Sequence, residues 1–201
     1  MVKDRTKARI ILASASPRRK LLLGGLLNNF GLKFVVKPAN IVEHIPEKIK
    51  DFGKFAADLA YEKAASVAQK ANGIIIAADT IVVCRQKVLG KPADKADAIR
   101  MLKSLSGKEH KVYTGLVILD TQSRKCYKVF EVTKVRFRKI LNSELEYYTG
   151  TKSPYGKAGA YGIQDDFGST FVESLEGDYF NVVGLPIVKT YKGLQKFMKL
   201  I

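Results

Sequence analysis

Acidic residues are scarce in this chain. Its 201 residues hold 19 Asp and Glu against 35 Lys and Arg, a formal net charge of +16. An excess of that size concentrates anions at the surface and suits a polyphosphate, a nucleic acid or an acidic surface, although solubility alone would favour the same balance. Thiols are scarcer still. Cys84 and Cys126 are the only two and lack C-x-x-C spacing, which excludes a disulfide framework and predicts reduced packing residues in a cytoplasmic protein. Two histidines, His44 and His110, with scattered cysteines argue against a zinc site. No long hydrophobic run occurs: the longest, residues 73–84, is too short to span a bilayer, so no membrane association is expected. The charged start, residues 1–9, has no apolar h-region, so no signal peptide is expected, and it is too short to read as a mitochondrial presequence.

Several catalytic signatures are missing as well. No Gly-x-x-x-x-Gly-Lys-Ser/Thr occurs, which excludes a P-loop. No nucleophile elbow supports a Ser-His-Asp triad. Gly156, Gly159 and Gly162 do not follow a strand at dinucleotide-fingerprint spacing. Internal repeats and low-complexity tracts are absent.

What is present is ordinary globular composition, 46% hydrophobic and 27% charged, enough for one sizeable core or two small lobes. The reading is a basic extension over residues 1–8 and a single domain over 9–201, with two lobes about a cleft as the arrangement within it. The apolar run Ile10-Ile11-Leu12-Ala13 predicts a buried strand. Ser14-Ala15-Ser16-Pro17-Arg18-Arg19 follows it directly. Ser16 stands where an N-cap belongs and Pro17 where the first helical residue belongs. Arg18 and Arg19 then put two cations beside the positive end of the helix dipole, which works against the helix unless an anion is bound there. A phosphate group is the anion best suited to that place.

Further along, the pattern predicts a helix over residues 17–27, a short strand over 33–37 and a loop over 38–46. A helix over 52–71 follows, with Phe52, Phe55, Ala56, Leu59, Ala60, Ala64, Val67, Ala68 and Ala71 in helical phase. A buried strand is predicted over 73–84 and a helix over 94–105. Residues 111–140 form a β-rich region with a turn at 120–123. A short helix over 142–149, a shaped loop over 152–168, strand at Phe171 and Val172, and a final helix over 186–200 complete the pattern. Interleaved helices and strands with central hairpins give an α/β protein with a mixed twisted sheet flanked by helices.

Asp79 interrupts the apolar strand, and an unpaired buried carboxylate costs several kcal/mol. It therefore needs a cation, a metal or a solvent-open sheet end, or it caps a neighbouring turn. Glu43, in a loop, gains weight as a second oxygen ligand beside Asp79 for a hard cation such as Mg²⁺. Lys63 lies on the apolar stripe of its helix, either snorkelling at the edge or directing its ammonium into a phosphate pocket. Lys91, in Gly90-Lys91-Pro92, is a cation between a flexible and a rigid residue. Lys134, Arg136 and Arg138 alternate along one strand face, as a solvated face or a nucleic-acid surface would, but no aromatic alternates with them.

Together these segments resemble the Maf family, the septum-formation-inhibitor-like nucleotide pyrophosphatases. The resemblance rests on residues 11–19, Ala78-Asp79-Thr80, Gly90-Lys91-Pro92 and Leu105-Ser106-Gly107, then on residues 110–115, 157–164 and 177–186, all in family order. It implies a fold like that of the inosine-triphosphate pyrophosphatases, as a homodimer. It implies hydrolysis of a nucleoside triphosphate to the monophosphate and pyrophosphate with a divalent metal, Mg²⁺ or Mn²⁺. Within the family, Ser-x-Ser-Pro-Arg-Arg with Ala-Asp-Thr is similar to the branch acting on dTTP and UTP, with modified pyrimidine nucleotides as further candidates, in a house-cleaning role linked to division arrest. By this match Arg18, Thr80 and Gln164 set base preference and Asp79 accepts the proton. Ser16, Arg19, Glu43, Lys63 and Lys91 fill the remaining pocket positions. The alternative is a non-catalytic regulator that senses nucleotides or binds nucleic acid.

Overall fold

The computed structural model describes residues 8–42, 44–165 and 167–200. Seven described strands, in the order β2-β1-β3-β5-β6-β7 with β4 against β3, form one mixed sheet. Two compact units divide the chain: one comprises Met1–Asp79, Thr114–Glu131 and Gly184–Ile201, the other Thr80–Tyr113 and Val132–Val183.

In the first unit, β1 (Ile10–Leu12) pairs in parallel with β2 (Phe34–Val36) and with the start of β3 (Ile74–Cys84), placing Leu12 opposite Ile76. Strand alternation divides the apolar residues between two faces. Ile10, Leu12, Ile74, Ile76, Ala78, Leu116 and Ile118 share one core with Leu23 and Leu27 of α1 (Pro17–Asn28) and Leu194 of α6 (Ile187–Leu194). Ile11, Ala13, Ile75, Ala77 and Val117 face the other way, onto Ala60, Ala64 and Val67 of α2 (Phe52–Ala68). Alanines on α2 let that helix lie close to the sheet. At Gly115, in β5 (Glu109–Asp120), an added Cβ would overlap the Ala56 carbonyl and the Ala57 nitrogen. The hairpin from β5 to β6 (Cys126–Phe137) closes with the Asp120 N–H on the Lys125 carbonyl at 3.0 Å.

In the second unit, the end of β3 pairs antiparallel with β4 (Lys87–Leu89), and β6 pairs antiparallel with β7 (Val172–Glu176). Helices α3 (Lys95–Leu105), α4 (Asn142–Thr149) and α5 (Tyr179–Val183) belong to this unit. Its interior is aromatic: Phe137 meets Tyr161 edge-on at 4.7 Å between ring centroids, and Tyr148 meets Phe171 likewise at 5.2 Å.

The expected mixed α/β sheet is thus observed, with four corrections. The last helix stops at Leu194, well before residue 200. The chain then makes single turns, the Phe197 and Met198 N–H groups both bonding the Leu194 carbonyl, and these bring Phe197 and Met198 into the core beyond the end of α6. Phe171 ends a 3-10 turn rather than beginning β7. Helix α5 lies in a stretch where sequence periodicity gave no element, because five residues are too few to establish a period. Cys84 is buried, but Cys126 is exposed at the start of β6, so only one of the two thiols packs.

Candidate active site

The turn after β1 forms as its sequence dictates. Ser16 is the N-cap of α1, its Oγ accepting from the Arg19 N–H at 3.4 Å, with Pro17 at the first helical position and no acidic residue in the first turn. Ser14, two residues beyond Leu12, is buried, and its Oγ accepts the Ser16 N–H at 3.2 Å. Arg19 is anchored twice: Nε donates to the Gly184 carbonyl at 2.8 Å and Nη1 to Ser14 Oγ at 3.3 Å. A guanidinium carries five donors in a fixed fork, so two anchors fix its plane while its charge stays at the helix start. Arg18 is half-buried in the same turn.

Asp79 obtains the cation that its burial requires from Lys63. The carboxylate lies within β3 rather than at a sheet end, is 6% exposed, and accepts a hydrogen bond at Oδ1 from Lys63 Nζ. The geometry follows from alternation. Ile75 and Ala77 face α2, and Asp79 continues that parity. Lys63 shares the α2 stripe of Ala60, Ala64 and Val67. Both groups belong to the unit that holds the Ser16 turn. Because β1 and β3 are parallel there, the Ser14–Arg19 segment and Asp79 both lie beyond the C-terminal side of the Leu12–Ile76 pair. Ligands of open α/β sheets gather at that end of the strands.

Thr80, Lys91 and Gln164 belong to the second unit. Thr80 follows Asp79 on β3 and is half-buried, with its side chain on the opposite strand face. Lys91 is exposed, and its neighbour Gly90 accepts the Gly159 N–H at 3.0 Å. Gly159 adopts φ +70°, with its α-carbon face against Val82, a conformation that favours glycine. The Gly90-Lys91-Pro92 turn is thereby tied to the loop that carries Gln164, which is exposed. Glu43 lies outside the described residues.

Sequence reasoning missed three groups. Ser14 and the Gly184 carbonyl orient Arg19; Ser14 stood in a noted motif, but nothing in the sequence pointed to a carbonyl 165 positions away. Lys157 and Asp165 pair at 2.5 Å beside Gln164. Opposite charges eight apart in a loop gave no periodic signal. The nearby Tyr148 hydroxyl has its pKa pushed up to about 12, chiefly by burial.

His110 is buried with Nε2 2.8 Å from the Tyr161 hydroxyl and its ring edge-on to Phe137. Burial pulls its pKa down to about 4 and pushes that of Tyr161 upward. Among the described residues no three His, Cys, Asp or Glu side chains cluster to hold a metal. One described carboxylate, Asp79, stands at the site. Mg²⁺ commonly takes one or two carboxylates and completes its shell with water and phosphate oxygens. This donor set therefore fits a cation that arrives with a polyphosphate, not one caged by the protein alone.

The fold and these groups define an α/β protein with an anchored arginine at an anion-seeking helix start and a buried lysine–aspartate pair on the same C-terminal side of the Leu12–Ile76 strand pair. The chain belongs to the Maf family: the family model for Maf-like proteins matches residues 9–197. It is 47% identical over 190 residues to the dTTP/UTP pyrophosphatase of Thermoanaerobacter sp. (strain X514), with 94% of this chain and 96% of the relative covered. It is 49% identical over 182 residues to the dTTP/UTP pyrophosphatase of Alkaliphilus oremlandii (strain OhILAs), with 90% and 91% covered. Among solved structures, a nucleoside-triphosphatase / dITP/XTP pyrophosphatase from Mycobacterium abscessus aligns over 93% of each chain at 14% identity, with a TM-score of 0.43.

Proposed function

We propose that this protein is a nucleoside triphosphate pyrophosphatase that hydrolyses dTTP and UTP to the monophosphate and pyrophosphate. The observation that carries the reading is the buried Lys63–Asp79 pair, which lies on the same C-terminal side of the Leu12–Ile76 strand pair as the Ser16–Arg19 turn. Its substrate follows the names of relatives that match nine-tenths of the chain or more. A water oxygen attacks the α-phosphorus, the bond from that phosphorus to the bridging oxygen breaks, pyrophosphate leaves, and the water gives up a proton. Asp79 accepts a hydrogen bond from that water and takes its proton. Lys63, held on Oδ1, fixes the carboxylate's direction and brings positive charge to the phosphates. Arg19, Lys91 and the Ser16 turn bind phosphate oxygens, and Arg18, Thr80 and Gln164 select the base.

Asp79, and Glu43 with it, would hold Mg²⁺ or Mn²⁺ together with the phosphates. Bound there, the cation would neutralise charge on the triphosphate. A homodimer and a cytoplasmic location belong to the same reading; the two free cysteines suit a reducing compartment. Among the described residues no helix is long and apolar enough to cross a membrane. A nucleic-acid surface on β6 is disfavoured. Lys134 meets Glu176 at 3.0 Å, Arg136 meets Glu109 at 3.9 Å and Arg138 meets Glu144 at 2.8 Å, so each cation of that face has a carboxylate.

The test is pyrophosphate release across dTTP, UTP, CTP, ATP and GTP with Mg²⁺, with Mn²⁺ and with chelator. Release from dTTP and UTP that stops on chelation is expected. Binding of dTTP or UTP without release in any metal leaves the sensor in its place, and salt-sensitive DNA or RNA affinity without release leaves the nucleic-acid regulator. Light scattering tests the dimer.

A further inference from the structure

The geometry points to Asp165 as the positioning residue that decides which end of the Gln164 amide is offered to a nucleotide base, and hence as a determinant of uracil and thymine over cytosine. The inference rests on the proposed role of Gln164 in base choice.

Gln164 Nε2 donates to Asp165 Oδ1 at 3.1 Å. An ionised carboxylate only accepts hydrogen bonds, so the amide must turn its NH₂ end toward Asp165. The carbonyl end is then the end held away from the carboxylate. Asp165 itself is immobilised. Its Oδ2 accepts from Lys157 Nζ at 2.5 Å and from Ser153 Oγ at 2.6 Å, with the Tyr148 hydroxyl at 3.4 Å. Lys157 in turn donates to the Ser153 carbonyl, and the side chains of Lys157 and Asp165 are 11% and 18% exposed. Gly162 completes the seat, because a Cβ there would overlap the Asp165 carboxylate. An exposed glutamine would otherwise sample both amide orientations; this one is set by a braced anion beside it.

Uracil and thymine carry a hydrogen on N3, which a carbonyl oxygen accepts. Cytosine presents a bare lone pair at N3, which a carbonyl repels and an NH₂ group satisfies. Fixing the amide with its NH₂ on Asp165 therefore favours the N3–H bases. Asp165→Asn removes the bias with little change of volume, since asparagine offers Gln164 either a donor or an acceptor. Lys157→Gln loosens the brace while leaving Asp165 and Gln164 intact.

The experiment measures equilibrium Kd for UTP and for CTP by calorimetry, with pyrophosphate release and thermal unfolding on the same samples of the full chain. For wild type, UTP is expected to bind more tightly than CTP. In Asp165→Asn the CTP-to-UTP ratio of Kd should fall roughly tenfold, the worth of one hydrogen bond, and Lys157→Gln should move it in the same direction by less. A purely structural role would weaken both nucleotides together and leave the ratio alone. An unchanged ratio in folded Asp165→Asn overturns the inference, as does an unchanged ratio in Lys157→Gln should Asp165→Asn not fold. Selective UTP binding without pyrophosphate release in wild type overturns the proposed enzyme while leaving the role of Asp165 to stand on the ratio.

Discussion

Removing the cation of the buried pair should cost more than removing both charges. In Lys63→Met the buried Asp79 carboxylate, whose side chain is 8% exposed, loses its partner. Breaking a buried pair in this way typically costs about 3–5 kcal/mol, against a total stability of about 5–15 kcal/mol for a domain. In Lys63→Met/Asp79→Asn no buried charge remains, and what is left is an imperfectly bonded amide costing about 1–2 kcal/mol. The two changes should therefore be non-additive by about 2 kcal/mol or more, with the double variant more stable than Lys63→Met. Urea unfolding followed by circular dichroism reads this directly. Pyrophosphate release on the same preparations should fall at least roughly 10²–10³-fold in both single variants and the double. Stability and activity would thus separate, the double variant regaining the first and not the second. Additive single effects, or a Lys63→Met protein within about 1 kcal/mol of wild type, would refute the buried-pair reasoning. Turnover restored in the double variant would refute the assignment of Asp79 to the chemistry.

Three other outcomes follow from the same geometry. His110 titrates at about 4 when folded and at an ordinary 6.5 when unfolded, so the unfolded chain takes the proton first. Stability from this group is full above about pH 6.5 and declines as pH falls toward 4, by about 3 kcal/mol in all; a urea series from pH 7 to 4 should lose that component in His110→Gln, and an unchanged slope counts against it. Gly115→Ala drives a methyl into the backbone of α2, so a loss of about 1–3 kcal/mol or more is expected, read as a lowered Tm; a Tm equal to wild type would mean that α2 does not press on β5. Arg19→Lys gives up the Nε bond to the Gly184 carbonyl and should lower kcat/KM roughly 10²-fold, and a wild-type kcat/KM would show that the anchored plane is unimportant.

The start of α1 was legible in full, because Ser16, Pro17 and two arginines act through neighbours in the chain. The α2 stripe and the buried run of β3 were legible for the same reason, since their periods are local. The last helix was not. Met198 stands in helical phase with Leu194, but phase does not say where a helix ends and single turns take over. Asp165 was hidden because its partners Ser153, Lys157 and Tyr148 come together only through the loop's path.

The sequence alone determined that Asp79 needed a cation, a metal, an opening to solvent or a turn to cap, and that the helix start wanted an anion. Both are consequences of local physics, the cost of burying a charge and the direction of the helix dipole. Which cation answers Asp79 was decided only by tertiary structure. Lys63 reaches it because the parity of β3 and the stripe of α2 bring both groups to the same side of the sheet. The plane of Arg19 was decided in the same way, by a carbonyl at Gly184 that the fold delivers and the chain order conceals.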